Sequence, residues 1–518
     1  MRTCLAVLLC AAQQQTASYE QALSLIRQQQ IEQGIAVLRK LLEQSPDDIK
    51  AHNLLGIALT NAGKIEEADA HFQKAIELNP RFYPALKNLA INEIRLDRSE
   101  SARTHLEQAL QIEPNDPVIH LALGEIHFQA KRFPEAASHF DRSRDLPFKE
   151  PRTLLNYATS CLEAHQPEKA IELLGKLPAE ADAVSRFDAG MIFARLGKYE
   201  NAAAQFELAR KGYPDPREVA YNLTLAYVKS RNYTAAIRIA QEILSQWQEG
   251  EFSNLKSQIS NLLAQAYEGN GQTVEAYNAL RKATQLDPRD ENNYLDLATL
   301  CVDHANYDLG LEIVNIGIRN IPRSGRLYFQ RGTLLAMKGQ TAAAGADFEN
   351  ASRLSPQENL PYVARGLVLL ELGQTAAAVE ILRRRAAASP NDYLVLYILG
   401  EALDRSDRAA GSGEEKEAIQ ALEKSVMLNP DFAASRVVLG KLLLRRGEVD
   451  RAVQILEKAR ELDPDETSAL YQLALAYRKK GDAERAKELF AKVDQARSES
   501  REQFTKRTLL RLVRGGSQ

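Results

Sequence analysis

Eight histidines, all between His52 and His304, are the residues of this 518-residue chain best suited to hold a metal. Three of them, His71, His105 and His139, recur 34 residues apart, as a ladder would. Zinc chelation needs ring nitrogens ~2.0–2.1 Å from one ion. Neighbouring helical hairpins set their backbones about 10 Å apart, too far for three rings to converge. No cysteine or carboxylate cluster completes a site, so the ladder reads as repeat duplication. His127 falls at a core position and is expected to be hydrogen-bonded there.

No other catalytic chemistry emerges. The chain lacks the G-x-x-x-x-G-K, G-x-S-x-G and H-E-x-x-H patterns. Gly269-Asn270-Gly271 imitates part of a dinucleotide fingerprint, but it falls at a turn between two helices with no strand before it. Cys161 and Cys301 share one repeat position four units apart. That separates them by about 40 Å along a stack, whereas a disulfide needs alpha carbons within about 7 Å. Both are expected to be free, buried small hydrophobes. These residues call for no metal, no cofactor and no enzymatic activity.

The elements that position them are set by a period. A small residue returns every 34 residues at Ala22, Gly56, Ala90, Gly124 and Ala158, then at Gly190 after a two-residue deletion. Thr224 breaks the rule. After a six-residue insertion the series resumes at Ala264, Ala298, Gly332, Gly366 and Gly400, and a second insertion of six leads to Gly440 and Ala474. Twelve residues beyond each marker stands another small residue, as at Ala68, Ala202 and Ala452. Four further on the chain is mostly large and apolar, as at Phe72, Phe206 and Leu456, with Ala240 the one gap. Proline usually follows, as in Leu78-Asn79-Pro80, and disfavours a helical residue before it. Apolar residues around the markers recur at helical spacing, as in Leu54, Leu55, Ala58 and Leu59. Each unit is therefore a helical hairpin. The two small positions let helix axes approach near the short end of about 8–10 Å, and the large residue fills the groove between them. One such hairpin cannot bury its apolar face alone, but fourteen stacked hairpins form one continuous core.

The pattern L-G-x-x-L/Y, A, F/L, P is carried by Leu55-Gly56, Ala68, Phe72, Ala75 and Pro80. Leu439-Gly440, Ala452, Leu456, Ala459 and Pro464 carry it again. Over residues 18–496 the chain resembles the tetratricopeptide repeat family. The resemblance implies an all-α, right-handed superhelical solenoid of about fourteen hairpins, with a concave face that grips extended peptides or partner helices. Glu93, Cys161 and Cys301 depart from the pattern, standing where Tyr or Leu is usual. Gln246-Trp247-Gln248-Glu249-Gly250 replaces a proline and is expected to lengthen a second helix. Irregularity is expected near 170–190, 240–262 and 406–414, and such places are expected to kink or loosen the stack.

In the family, the residues two and three before each marker, and one after, face the groove. Three before it, the resemblance points to Tyr19, Phe187, Tyr221, Phe329, Tyr397 and Tyr471. Two before it stand Asn88, Asn156, Asp188, Asn222, Asp296, Gln330 and Gln472. Amide side chains hydrogen-bond a partner's backbone whatever its sequence, and rigid aromatics supply contact area. The other reading of the aromatics is that they finish the packing between first helices. The family's clamp for a terminal carboxylate is matched by Lys87 but not by Ile91, which argues against that ligand.

Lys and Arg number 66 against 69 Asp and Glu, a net charge of −3. Nucleic-acid binding wants a basic stripe, and none is present. Met1-Arg2-Thr3, an apolar Cys4–Ala12 and a polar Gln13–Gln15 read residues 1–17 as a secretory signal. The alternatives are a frayed helix, a misplaced start, or lipid acceptance by Cys10, which bulky Leu9 disfavours. The apolar run is far short of the ~20 residues that span a bilayer, and no transmembrane segment stands elsewhere. A periplasmic or secreted location follows, with the cytoplasm as alternative. Residues 497–518 carry Arg497, Arg501, Lys506, Arg507, Arg511 and Arg514. They read as a capping helix and tail, or as a weak membrane-surface contact. Asp407–Glu414 is expected to be an exposed loop. The function expected is a non-catalytic scaffold for protein or peptide partners, with an accessory subunit of a cell-envelope or glycan-processing enzyme as alternative.

Overall fold

A computed structural model describes residues 2–248, 252–406 and 412–496. The described residues hold 28 α-helices, one 3-10 turn at Leu146–Lys149, and no strand. The chain divides into two compact units, residues 1–232 and 233–518.

The first unit contains α1 (Arg2–Arg27), α2 (Ile31–Gln44), α3 (Ile49–Asn61), α4 (Ile65–Leu78), α5 (Tyr83–Arg95), α6 (Ser99–Leu110) and α7 (Pro117–Gln129). It continues through α8 (Phe133–Arg142), α9 (Pro151–Glu163), α10 (Pro167–Leu174), α11 (Ala183–Arg195), α12 (Tyr199–Ala209) and α13 (Pro216–Lys229). The second unit opens with α14 (Tyr233–Gln246), α15 (Ser253–Gly269), α16 (Thr273–Leu286), α17 (Glu291–Asp303), α18 (Tyr307–Asn320), α19 (Gly325–Met337) and α20 (Thr341–Leu354). It ends with α21 (Leu360–Glu371), α22 (Thr375–Ala388), α23 (Tyr393–Ser406), α24 (Gly413–Leu428), α25 (Ala433–Arg445), α26 (Val449–Leu462), α27 (Thr467–Lys480) and α28 (Ala483–Ala496). Odd-numbered helices are the first of a hairpin and even-numbered ones the second.

Local chemistry fixes where the helices begin and turn. The proline that stops a second helix is followed two residues later by a cap for the next first helix. Asp48 accepts from Ala51 N at 3.0 Å, and Asp116 from Val118 N at 2.7 Å and Ile119 N at 3.2 Å. Asp392 accepts from Leu394 N and Val395 N at 2.9 and 3.0 Å. Each cap satisfies amide donors that have no partner within the helix.

The period is a packing rule. A methyl added at Gly56 would come within 2.5 Å of the Phe72 ring, and one at Gly190 within 2.5 Å of Phe206. The same close approach relates Gly124 to Phe140, Gly332 to Phe348, Gly400 to Leu422 and Gly440 to Leu456. The large residue of each second helix thus seats on the small marker of its own first helix. Phe72, Phe140, Phe206 and Phe348 are completely buried as a result.

First helices also touch one another, α21 with α23, α23 with α25 and α25 with α27. Among the described residues no two second helices make comparable contacts. From α21 to α27 the first helices therefore form the tighter row.

Several expectations need correction. The insertion after α13 does not lengthen a second helix: α14 has 14 residues, like its counterparts, and α15 has 17. The added turn of α15 carries buried Lys256, whose ammonium donates to the carbonyl of Trp247 at 3.1 Å and to that of Gln248. A lysine so placed satisfies carbonyls just beyond the end of α14, which a longer α14 would have consumed. In the second insertion Ser412 caps α24 by accepting from Glu415 N at 3.1 Å, so Gly413 and Glu414 are helical. Residues 407–411 of that insertion, and the basic segment 497–518, lie outside the described residues.

The pattern breakers are buried. Cys161 and Cys301 are free and buried. Buried Glu93 receives hydrogen bonds from Ser101 Oγ at 2.5 Å and pairs with His105 Nδ1 at 2.8 Å. Two polar groups from α6 therefore hold a carboxylate where an apolar side chain is usual. At the N-terminus, α1 runs unbroken across residue 17. Among the described residues no helix is long and apolar enough to cross a membrane.

Candidate functional site

The histidines pair across hairpins rather than along a ladder. His52 Nδ1 meets His71 Nδ1 at 3.0 Å, and His120 Nδ1 meets His139 Nδ1 at 3.0 Å. His52 Nε2 lies 2.7 Å from the Pro46 carbonyl and His120 Nε2 lies 2.9 Å from that of Pro114. A carbonyl only accepts, so each Nε2 carries the proton and each partner ring donates from Nδ1. His71 and His139 then act as neutral donors. Burial, followed by the charges of His127 and His120, lowers His139 to about 4. Burial, then His52, also lowers His71. His127 corrects an expectation: it stacks on His139 with centroids 5.3 Å apart, but its buried Nδ1 makes no hydrogen bond. No group of three or more His, Cys, Asp or Glu among the described residues is arranged to hold a metal.

The expected groove residues fall into different settings. Asn88 donates to Asn53 Oδ1 at 3.1 Å, and Asn156 to Glu125 Oε2 at 2.8 Å, each bridging to the preceding first helix. Asn222 instead bonds the Glu218 carbonyl of its own helix at 2.9 Å. Asp188 and Asp296 touch solvent, yet the protein around them displaces bulk water. Burial, reinforced by Asp182, raises Asp188, and burial with Asp290 raises Asp296 to about 6. Gln330 is buried and its Nε2 has no partner.

The aromatics mostly finish packing. Phe187 is buried, stacked on Tyr213 at 4.2 Å and set against Phe206 at 5.3 Å. Phe329 packs on Phe348 at 5.5 Å, and Tyr471 on Phe490 at 5.9 Å. Tyr19 packs half-buried against the first core cluster, and Tyr221 is half-buried on α13.

Tyr397 and Gln472 are brought together. Both line a cleft of about 700 Å³ between α21, α23, α25 and α27, a volume within the range of ligand-sized sites. Eight of its lining residues stand at the three positions that the resemblance assigns to the groove. Val363, Tyr397 and Val437 stand three before a marker, Ile398, Val438 and Gln472 two before, and Glu401 and Lys441 one after. Asp404, one turn further along α23, accepts from Lys441 Nζ at 2.5 Å and Arg445 Nη1 at 2.8 Å.

The same cleft holds residues that the repeat pattern does not point to. Tyr393 and Phe432 line it from the starts of α23 and α25. The signal for Phe432 lies in Pro430-Asp431-Phe432, where an aromatic replaces the capping Asp or Ser of Asp48, Asp116, Asp290, Ser324 and Asp392. Phe432 stands edge-on to Tyr393 at 5.2 Å and to Tyr397 at 5.1 Å, with interplanar angles of 66° and 81°. Burial, and then the Glu401 carboxylate, push the Tyr397 hydroxyl well above its ordinary range.

Sequence models described as "Tetratricopeptide repeat" match residues 16–48, 49–82, 257–290, 360–384, 409–466 and 445–505. The chain belongs to the tetratricopeptide repeat family. A related model, "Tetratricopeptide repeat protein 21 C-terminal ARM domain", matches residues 83–261. Among solved structures, this TPR chain is similar to the yeast Tom70 at 18% identity. The match covers 85% of this chain and 96% of that one, with a TM-score of 0.37. Cut9 in the APC/C Cut9–Hcn1 hetero-tetramer is 14% identical over 83% of this chain and 96% of its own, with a TM-score of 0.39. MamA from Desulfovibrio magneticus RS-1 is 24% identical over 34% of this TPR chain and 96% of its own, with a TM-score of 0.29.

Proposed function

We propose that this TPR protein is a non-catalytic scaffold whose first-helix face holds peptides or partner proteins. The observation that carries the reading is the cleft between α21, α23, α25 and α27. Its walls mix aromatic, aliphatic and charged side chains, the composition from which protein-recognition surfaces draw their affinity. Gln472 lies in that cleft, and Asn88, Asn156, Asp188, Asn222 and Asp296 extend the same role along other first helices. Some of their hydrogen bonds are to neighbouring first helices and would be exchanged for bonds to a partner's backbone. Gln330, Phe187, Phe329, Tyr221 and Tyr471 belong to the proposed face through packing that holds it rigid.

Affinity capture from native extract tests the reading, with Val438→Lys as control. Val438 is half-buried in the cleft wall at the margin of the core, so a lysine there projects charge into the site, and thermal melting checks that the variant folds. Partners recovered with the wild type and lost with the variant would support the proposal. Identical sets from both proteins would contradict it. Export remains part of the proposal through residues 1–17, and N-terminal sequencing of the natural protein would locate any cut.

A further inference from the structure

Carboxylates outnumber cations in the walls of the second-unit cleft. Glu401, Asp404, Asp431, Asp463 and Glu466 line it against Arg405 and Lys441. Asp404 is held by Lys441 and Arg445. Glu401 differs. The residue is buried, with 11% of its side chain exposed. One of its oxygens accepts from Arg405 and the Tyr397 hydroxyl interacts with the carboxylate, but Oε2 is buried and no donor reaches it in good hydrogen-bond geometry. A buried carboxylate oxygen left without a donor is costly. Beside it, the Phe432 ring stands at steep angles to those of Tyr393 and Tyr397. Ring faces attract cations, and most strongly where water is excluded.

We infer that this cleft is a cation-recognising subsite, which takes an arginine or lysine side chain from a basic segment of a partner protein. The inference rests on the groove-binding function proposed above and gives that groove its charge preference. The partner's guanidinium or ammonium donates to Glu401 Oε2 and lies against the aromatic corner, while Asp431 and Glu466 at the rim favour a segment of positive charge. A donor supplied by the partner removes the one unsatisfied carboxylate oxygen among the lining residues and forms a charge-assisted bond, the stronger kind. An acidic peptide finds the opposite: more like charge than unlike, and ring faces that repel it.

Random peptides displayed on phage and selected on the full chain test the inference, in parallel with the Glu401→Gln and Phe432→Leu variants. Thermal melting by circular dichroism checks that both variants fold. Peptides enriched on the wild type are expected to share an arginine or lysine at one position. Replacing that residue by citrulline or norleucine is expected to weaken binding about tenfold or more, measured by fluorescence anisotropy. Glu401→Gln and Phe432→Leu are expected to weaken the parent peptide similarly, and on Glu401→Gln the replacement should matter by less than about twofold. Peptides that bind the wild type and both variants equally would overturn the cation subsite and leave the groove-binding function standing. Failure to select any peptide would overturn both. A chain ending at Ala496 that binds the same peptides about tenfold tighter would make the protein's own basic tail the occupant and overturn the assignment to an outside partner.

Discussion

At the scale of single residues, the fold rests on a trade of volume between two positions sixteen residues apart. Phe72, Phe140, Phe206 and Phe348 all face a glycine, and each is 0–1% exposed. A methyl on Gly56 would meet the Phe72 ring at 2.5 Å, closer than such atoms can sit. Gly56→Ala is therefore expected to cost stability even though alanine favours helix. Overpacking costs about 1–3 kcal/mol, against up to about 1 kcal/mol regained in helix propensity. Combining it with Phe72→Leu should lose about 1 kcal/mol less than the sum of the single losses. Urea unfolding of the four proteins in the cycle measures this, and strict additivity would remove the packing rule. The histidine pairs carry a pH dependence whose sign is fixed. His139 titrates at about 4 when folded, below the ordinary histidine value of 6.5. The unfolded chain thus takes up the proton first, so stability is complete above about pH 6.5 and falls as pH drops toward 4. Ring-proton NMR should show His139 uncharged at pH 5.5, and His139→Gln should flatten the melting temperature across that window.

At the scale of helices and turns, most of the fold was legible because the determinants are local. The seventh residue after a marker closes each described hairpin turn in the left-handed region. Gly63, Gly197, Gly271, Gly339, Gly373, Gly447 and Gly481 fill it without strain. Gln29, Asp97, Lys131, His165, Arg231 and Ala305 occupy the same place at φ between 54° and 62°. Left-handed backbone costs a residue with a β-carbon about 1–2 kcal/mol, part of which glycine returns through its larger unfolded-state entropy. Ala305→Gly is therefore expected to raise stability by about 0.5–1 kcal/mol in thermal or denaturant unfolding. A loss would contradict the turn account. What the sequence hid at this scale is where an insertion goes. Nothing in Gln246–Gly250 reveals that Lys256, a turn beyond them, satisfies the preceding carbonyls and draws the extra residues into α15. The histidine pairs were hidden for a related reason: partners 19 residues apart meet only once the hairpin closes.

At the scale of the whole chain, the 34-residue period and the small–large pairing it carries identify a stack of hairpins, in which stability is shared between neighbours. The groove positions could be read only through family resemblance, because any one repeat shows a few exposed or half-buried side chains and no site. The cleft takes residues from four successive first helices, and two of its three rings come from helix starts that the pattern does not mark. Asn and Gln at the groove positions gave equal weight to every repeat, whereas the structure opens a cleft in one part of the second unit, with an unsatisfied carboxylate oxygen in its wall. The central claim is that partners engage the first-helix face. Site-specific photo-crosslinking in native extract tests it most directly, with the reactive side chain placed at Val438 in the cleft or at Met427 on α24, which is 69% exposed. The account predicts partner adducts at Val438 and none at Met427; adducts at Met427 with none at Val438 would contradict it.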